Sequence, residues 1–333
     1  MSKKILVLGS SGAMGSYIVP YLADMGYSVT AVSLDDEKPY NDNVTCIKAD
    51  VRNKEFLLSL LSQKFDGLVD FSYYSYKEFR EYYKLFLENT GHYIFLSSCR
   101  VYANEEVPVK ETSPRLLDVS TDTKLLASND YCIVKAKKED MLLLSDYDNW
   151  TIVRPATTFS KMRFQLVTLE AVNCVGRARK GKKVVLPEQA KDIPATLCWA
   201  GDVSMMIAKL FFNDDAKRQI FNVCSSEYHT WGEIADYYNK ICGLEAVWVD
   251  KEDYLKIISP ELNLNVRWQL EYARMFNRIT DNSKVLRFTG MKQEQLTPLY
   301  DALKMMVDAI PDDYVFPETD VSRRMDEYLE EKL

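Results

Sequence analysis

The chain has 333 residues, 47% hydrophobic and 27% charged, a balance that excludes disordered, collagenous and coiled-coil classes and fits one large or two medium domains. Lys and Arg number 42 against 49 Asp and Glu, a formal charge of −7, so no global field attracts nucleic acid or an anionic membrane and any anionic ligand must be held locally. Seven scattered cysteines without a Cys-x-x-Cys pair read as reduced thiols, and two histidines, His92 and His229, exclude a His-rich metal site.

In chain order, the apolar run Ile5–Leu8 predicts a strand, followed at once by the turn Gly9-Ser-Ser-Gly12-Ala-Met-Gly15 and a helix over Tyr17–Met25 that Pro20 is expected to kink. Strands are predicted at Val29–Val32, Thr45–Ile47, Gly67–Phe71, Tyr93–Leu96 and Thr151–Val153, and helices at Lys54–Gln63, Lys77–Asn89 and Tyr131–Leu144. Repeated βα alternation implies a doubly wound parallel sheet, because each parallel crossover needs a helix. Beyond Pro155 the pattern loosens, but a helix over Asp202–Phe212 and a strand over Ile220–Val223 are expected to return to the sheet. The expected organisation is an α/β dinucleotide-binding (Rossmann) domain of residues 1–155 plus about 196–225. A smaller, mostly C-terminal substrate-binding lobe takes about 156–195 and 226–333, with helices over Thr297–Ile310 and Asp320–Leu333. The apolar run after Lys3-Lys4 stops at Gly9, too short for a signal peptide, and no stretch reaches the ~20 apolar residues of a membrane span. A cytoplasmic protein without membrane partners is expected.

The loop Gly9, Ser11, Gly12, Ala13, Met14, Gly15 stands between a strand and a helix, where a pyrophosphate would meet backbone N–H groups: Gly9 makes the turn, Gly12 admits the phosphate and Gly15 lets helix pack on sheet. Ser33 occupies the position that normally reads the adenosine ribose. No Arg or Lys stands near it in sequence, and Asp35 and Asp36 would repel a 2′-phosphate, so NAD is favoured slightly over NADP. Farther on, Tyr131 and Lys135 lie one helical turn apart and project from one face. A lysine there lowers the phenol pKa and lets it exchange a proton, with Ser98 holding the same substrate oxygen. In a chain with 21 tyrosines this pair means little alone.

The ordered set is more specific. The glycine loop, Asp50-Val51, Phe95-Leu-Ser-Ser98-Cys-Arg-Val-Tyr102, Tyr131-Cys-Ile-Val-Lys135, Ile152-Val-Arg-Pro155 and Trp199-Ala-Gly-Asp202-Val203 together resemble the extended short-chain dehydrogenase/reductase superfamily. More narrowly, they resemble its NAD-dependent epimerase/dehydratase family acting on nucleotide sugars. The resemblance, over about residues 3 to 245, implies that Gly9, Gly12 and Gly15 cradle the pyrophosphate, that Asp50 and Val51 border the adenine, and that Pro155 belongs to the cofactor site. It implies that Ser98, Tyr131 and Lys135 are the catalytic triad, with Lys135 also on the nicotinamide ribose, and that Asp202 is structural. Three departures stand out: Ala103 and Trp199 replace a usual Gly and His, and the stretch from Ser98 to Tyr131 is longer than usual.

Arg274, Arg278 and Lys284, in a segment rich in basic and amide side chains, are candidates for a substrate diphosphate, with Ser98 and Tyr102 also expected at the substrate. The leading expectation is an NAD(P)-dependent epimerase of a nucleotide sugar, at C4; the alternative is an NAD(P)H-dependent 4-keto-sugar reductase. The resemblance also implies that dehydration is disfavoured, because the family's 4,6-dehydratases carry an acidic pair directly after the serine/threonine position, where this chain has Cys99-Arg100 after Ser98. A non-catalytic dinucleotide sensor or RNA-binding relative is the alternative of another class, against which the acidic balance and the intact triad both argue. No nucleic acid partner is expected, and a homodimer is the assembly that the resemblance implies.

Overall fold

The computed structural model describes residues 2–332, so the last residue of the predicted C-terminal helix, Leu333, lies outside the described residues. Its centre is a sheet of seven parallel strands: β1 (Lys4–Leu8), β2 (Ser28–Ser33), β3 (Val44–Lys48), β4 (Gly67–Asp70), β5 (Tyr93–Leu96), β6 (Trp150–Pro155) and β7 (Gln219–Val223). Their spatial order is β7-β6-β5-β4-β1-β2-β3, with the order reversing between β1 and β4. In such sheets ligands bind outside the carboxyl ends of the strands at this reversal.

The apolar runs become central strands because both faces are covered, and the period of two divides each strand between them. Ile5 and Val7 join Val29, Ala31, Ile94 and Phe221 in a core roofed by α1 (Gly15–Asp24) and α5 (Ala200–Leu210). Leu6 and Leu8 join Val32, Leu68, Phe95 and Ile152 on the other side, under α2 (Lys54–Leu61), α3 (Tyr76–Asn89) and α4 (Tyr131–Leu143). The helix starts are written locally: Asn53 caps α2, Ser75 and Glu78 form a capping box on α3, and Asp130 caps α4 through Cys132 N at 2.9 Å. Pro20 lies inside α1, which continues unbroken to Asp24.

A second apolar core gathers Phe159, Phe164, Val184–Leu186, Trp231, Tyr238, Tyr254, Leu303 and Met325. Its framework is a parallel pair, 184–187 with 246–249, and the helices Trp231–Cys242, Lys251–Ile258, Leu299–Asp308 and Asp320–Lys332. The long stretch between Ser98 and Tyr131 contains two short helices, Leu116–Val119 and Thr123–Ala127. The helix Leu264–Gln269 passes into a π turn over Leu270–Arg274, closed by Met275 N on Leu270 O at 2.9 Å. Such turns shift the side chains that come after them and are frequent at functional sites.

Candidate active site

The glycine loop closes over the switch point. Gly9 has φ +78°, a conformation costly for any other residue, and its N–H donates to Val32 O at 2.8 Å, tying the turn to β2. A Cβ on Gly15 would stand 2.3 Å from Gly9 O and 2.5 Å from Ser10 O, so only glycine lets the loop lie flat on the first turn of α1. The loop is therefore an open backbone cradle at a helix N-terminus, the form that a dinucleotide pyrophosphate requires.

Cavities flank the loop on its two sides. One, of about 440 Å³, is lined by Gly9, Ser11, Gly12, Ser33, Asp35, Asp50, Val51 and Arg52. The other, of about 280 Å³, is lined by Ala13, Met14, Ser98, Cys99, Arg100, Tyr131, Pro155 and residues beyond β6. Most of the expected cofactor residues thus line one cavity or the other, with the glycine loop between the two halves, while Gly15 and Lys135 line neither.

In the first half the structure adds a residue that sequence distance hides. β3 pairs with β2 with Ser33 opposite Lys48, so the residues just after β3 arrive beside the end of β2. That brings Arg52 into the cleft with Ser33, against the expectation of no base nearby. Its guanidinium is held by Asp50 at 2.8 Å, and this pair lowers the Asp50 pKa. Ser33 Oγ accepts from Asp35 N at 3.2 Å.

In the second half Ser98 and the half-buried Tyr131 meet across the cavity, Ser98 beyond the end of β5 and Tyr131 at the first turn of α4. Their relative position is set from beneath. Buried Glu139 on α4 takes Arg154 of β6 in a two-pronged ion pair, Nε at 2.8 Å and Nη2 at 2.6 Å, a further bond from Arg115 at 3.2 Å, and the hydroxyl of Ser97. This paired, fully hydrogen-bonded carboxylate locks α4 to the ends of β5 and β6. The Ile152-Val-Arg-Pro155 motif therefore contributes a positioning residue, Arg154, in addition to Pro155 on the cavity wall.

Lys135 lies one turn behind Tyr131, buried, with Nζ donating to Leu96 O and 5.6 Å from the Tyr131 ring centre. Burial pulls its pKa down to about 8, against the pull of Asp70 and Glu139. The phenol differs from expectation: burial holds the Tyr131 pKa above its ordinary value, and the groups that work against this are Arg100 and Ser98, with Arg163 behind them. The Arg100 guanidinium lies 5.3 Å from the Tyr131 ring centre, so a second cation stands as near the phenol ring as Lys135 does.

The expected substrate residues separate. Arg274 lines the cavity, carried there by the π turn. Tyr102, Arg278 and Lys284 do not. Tyr102 is fully buried with its hydroxyl on Asn222 Oδ1 at 2.7 Å; Arg278 donates to the carbonyls of Ala103 and Tyr102; Lys284 donates to Gln219 Oε1 and Ile220 O at β7. These three fasten the segment 274–284 to the sheet domain. Arg163, a weaker basic candidate in the sequence, and Arg100, noted there only as a departure after Ser98, also line the cavity; the cavity residues that the sequence did not point to include Thr157, Gln165 and Gln269. Asp202 accepts from Thr297 N at 2.7 Å, a contact away from the cavity. Trp199, in place of a usual His, packs edge-on against Tyr17 with ring centres 5.2 Å apart. No helix among the described residues is long and apolar enough to cross a membrane, and no cluster of His, Cys, Asp or Glu fit to hold a metal occurs among them.

The family model described as NAD dependent epimerase/dehydratase family matches residues 5–85. No curated protein matches the sequence. Among solved structures, the fold is similar to an epimerase from Methanothermobacter thermautotrophicus, at TM-score 0.70 and 15% identity over 99% of this chain and 94% of that one. It is similar to a UDP-glucose 4-epimerase from Thermotoga maritima with UDP-glucose (TM-score 0.66, 18% identity, 92% and 97% covered). It is also similar to a UDP-glucose 4-epimerase from Thermus thermophilus in complex with NAD (TM-score 0.67, 17% identity, 92% and 98% covered). The chain thus matches the model of the NAD dependent epimerase/dehydratase family over residues 5–85, and its fold is similar to that of solved epimerases over nearly its whole length.

Proposed function

We propose that the protein is an NAD-dependent enzyme that epimerises a nucleotide-activated sugar, at C4. The observation that carries this reading is the meeting of Ser98 and Tyr131 with Ala13 and Met14 of the glycine loop around one cavity, with Lys135 one turn behind. When bound, the nicotinamide supplies reversible hydride transfer at the sugar carbon. Tyr131 takes the proton from the hydroxyl on that carbon and returns it, Ser98 holds the same oxygen, and Lys135 keeps positive charge behind the phenol. Glu139 and Arg154 keep these groups in register.

Gly9, Gly12 and Gly15 would hold the pyrophosphate, Asp50 and Val51 the adenine side, and Tyr131, Lys135 and Pro155 the nicotinamide end. NAD is the favoured form. Asp35 and Asp50 line the adenosine half, and Arg52 is engaged by Asp50 instead of being free for a 2′-phosphate. Solved neighbours of the same fold include complexes with NAD, with UDP and with UDP-sugars, which supports a nucleotide-sugar ligand. Arg163, exposed at the rim, is the cation placed for the diphosphate.

The test is to incubate NAD-saturated protein with a panel of nucleotide sugars and follow configuration at each ring carbon by NMR. Inversion at C4 without net consumption of NAD supports the reading. Reduction of a nucleotide 4-keto-sugar included in the panel, with consumption of added NADH or NADPH, would make the protein a keto-sugar reductase. No conversion and no binding of any nucleotide sugar would overturn the reading.

A further inference from the structure

The cavity beside Tyr131 holds more positive charge than the reaction at a neutral sugar needs. Arg274 is nine-tenths buried, yet its hydrogen bonds go to neutral groups, Thr157 Oγ1 at 2.7 Å and Gln165 Oε1 at 2.9 Å, and its Nε has no partner. Arg278 behind it is buried on two backbone carbonyls. Arg100 meets one carboxylate, Asp130, through a single nitrogen at 3.2 and 3.4 Å, longer than a usual charge-assisted bond, and its buried Nε also lacks a partner. Asp130 is itself committed to capping α4. The one acidic side chain on the cavity wall, Glu170, is exposed and bonded by Gln165.

Of these three neighbouring guanidiniums only Arg100 meets a carboxylate, an arrangement that burial penalises unless an anion completes it. Burial and the neighbouring arginines already pull the Arg274 pKa down to about 10. The position of Arg100 says where the anion belongs. Its guanidinium lies against the Tyr131 ring, so it faces groups on the reacting carbon or the next one, whereas a diphosphate attached at C1 stands across the sugar ring from C4.

We propose that the substrate is an acidic sugar, carrying a carboxylate on a carbon adjacent to the one that Tyr131 serves, with Arg100 and Arg274 as the residues that select it. The proposal rests on the nucleotide-sugar reading above and narrows it to uronate-type sugars. A neutral hydroxymethyl group at the same place would leave Arg274 desolvated without a counter-charge and Arg100 with its long contact to Asp130 alone.

The experiment compares UDP-glucuronate with UDP-glucose by calorimetry on NAD-saturated protein, with glucuronic acid 1-phosphate and glucose 1-phosphate alongside to remove the base from the comparison. The acidic member of each pair should bind at least about tenfold more tightly, as one charge-assisted contact provides. Arg100→Gln should shrink that ratio toward one, and Arg100→Lys should keep part of it; NAD affinity measured on the same preparations shows that the variants are folded. Equal or weaker binding of the acidic sugars by the wild type overturns the inference while leaving the nucleotide-sugar reading standing. Absence of binding for all four probes overturns that reading and the inference with it.

Discussion

The two halves of the cleft share one loop and differ in how they are built. The adenosine half is assembled from strand ends adjacent in the sheet, β1, β2 and β3, and presents Asp35 and Asp50, with Arg52 paired to Asp50. The reaction half draws on the end of β5, the start of α4, the end of β6 and a π turn more than 100 residues later in the chain, and it presents Arg100, Arg163 and Arg274. The first is thus polar and locally encoded, and its chemistry suits a dinucleotide. The second is cationic and encoded at long range, and on the proposed function it would meet what the dinucleotide acts upon.

Removing one hydroxyl should separate the halves by function. Tyr131→Phe keeps the ring and its packing but removes the group that exchanges the proton, so kcat should fall by about 10²–10⁴-fold while NAD affinity changes little. Steady-state kinetics and NAD titration on one preparation measure both; near wild-type turnover on a confirmed substrate would remove Tyr131 from its role.

The opposite end of the sheet supplies the next contrast, because its titration acts on stability and not on turnover. His92 is buried between Thr151 Oγ1 at 2.8 Å and the N–H of Phe212, and burial lowers its pKa to about 4. The unfolded chain protonates it near 6.5, so the unfolded state binds the extra proton first and stability is lost as pH falls from about 6.5 toward 4. The shift corresponds to about 3 kcal/mol once pH is below 4. Thermal melts between pH 8 and pH 4 should show this loss, and His92→Gln should flatten the slope. A variant with an unchanged slope would place the titration elsewhere.

Gly15→Ala tests the shared wall. Its Cβ would meet two backbone carbonyl oxygens, so the loop must shift, at a cost of about 1–3 kcal/mol in stability. Binding should weaken for adenosine-side and nicotinamide-side ligands alike, since both halves lean on the same loop. Loss confined to one side, read by titrating ADP and NAD, would mean that the halves are independent.

A subtler change concerns charge in the adenosine half. Asp50→Asn frees Arg52 and should move the NAD-to-NADP preference toward NADP by about tenfold, or ~1.4 kcal/mol. It makes the first half cationic, as the second already is. A preference that stays put in parallel calorimetric titrations would show that Arg52 does not reach the ribose.

What the sequence revealed divides along the same line. The strands of the sheet, the glycine loop and the Tyr131-x-x-x-Lys135 pair are written in short windows, where periodicity, turn chemistry and helical spacing act directly. Arg52 was hidden because its approach to Ser33 depends on strand pairing, although the register of neighbouring parallel strands is the signal that places it. Arg278 and Lys284 shared their composition with Arg274. Only the tertiary path shows that one reaches the cavity while the others bond backbone carbonyls. Arg100 was legible as a departure after Ser98, but its meaning required the distance to Tyr131.

On this account the two halves form a single dinucleotide site whose far end is the Tyr131 cavity. Calorimetric titration of NAD and of ADP, which lacks the nicotinamide ribose, into wild type and Lys135→Met decides whether they do. NAD should bind the wild type, Lys135→Met should weaken NAD by about tenfold, ~1.4 kcal/mol, and ADP should bind both proteins alike. Absence of NAD binding, or equal weakening of NAD and ADP by the substitution, would contradict the account.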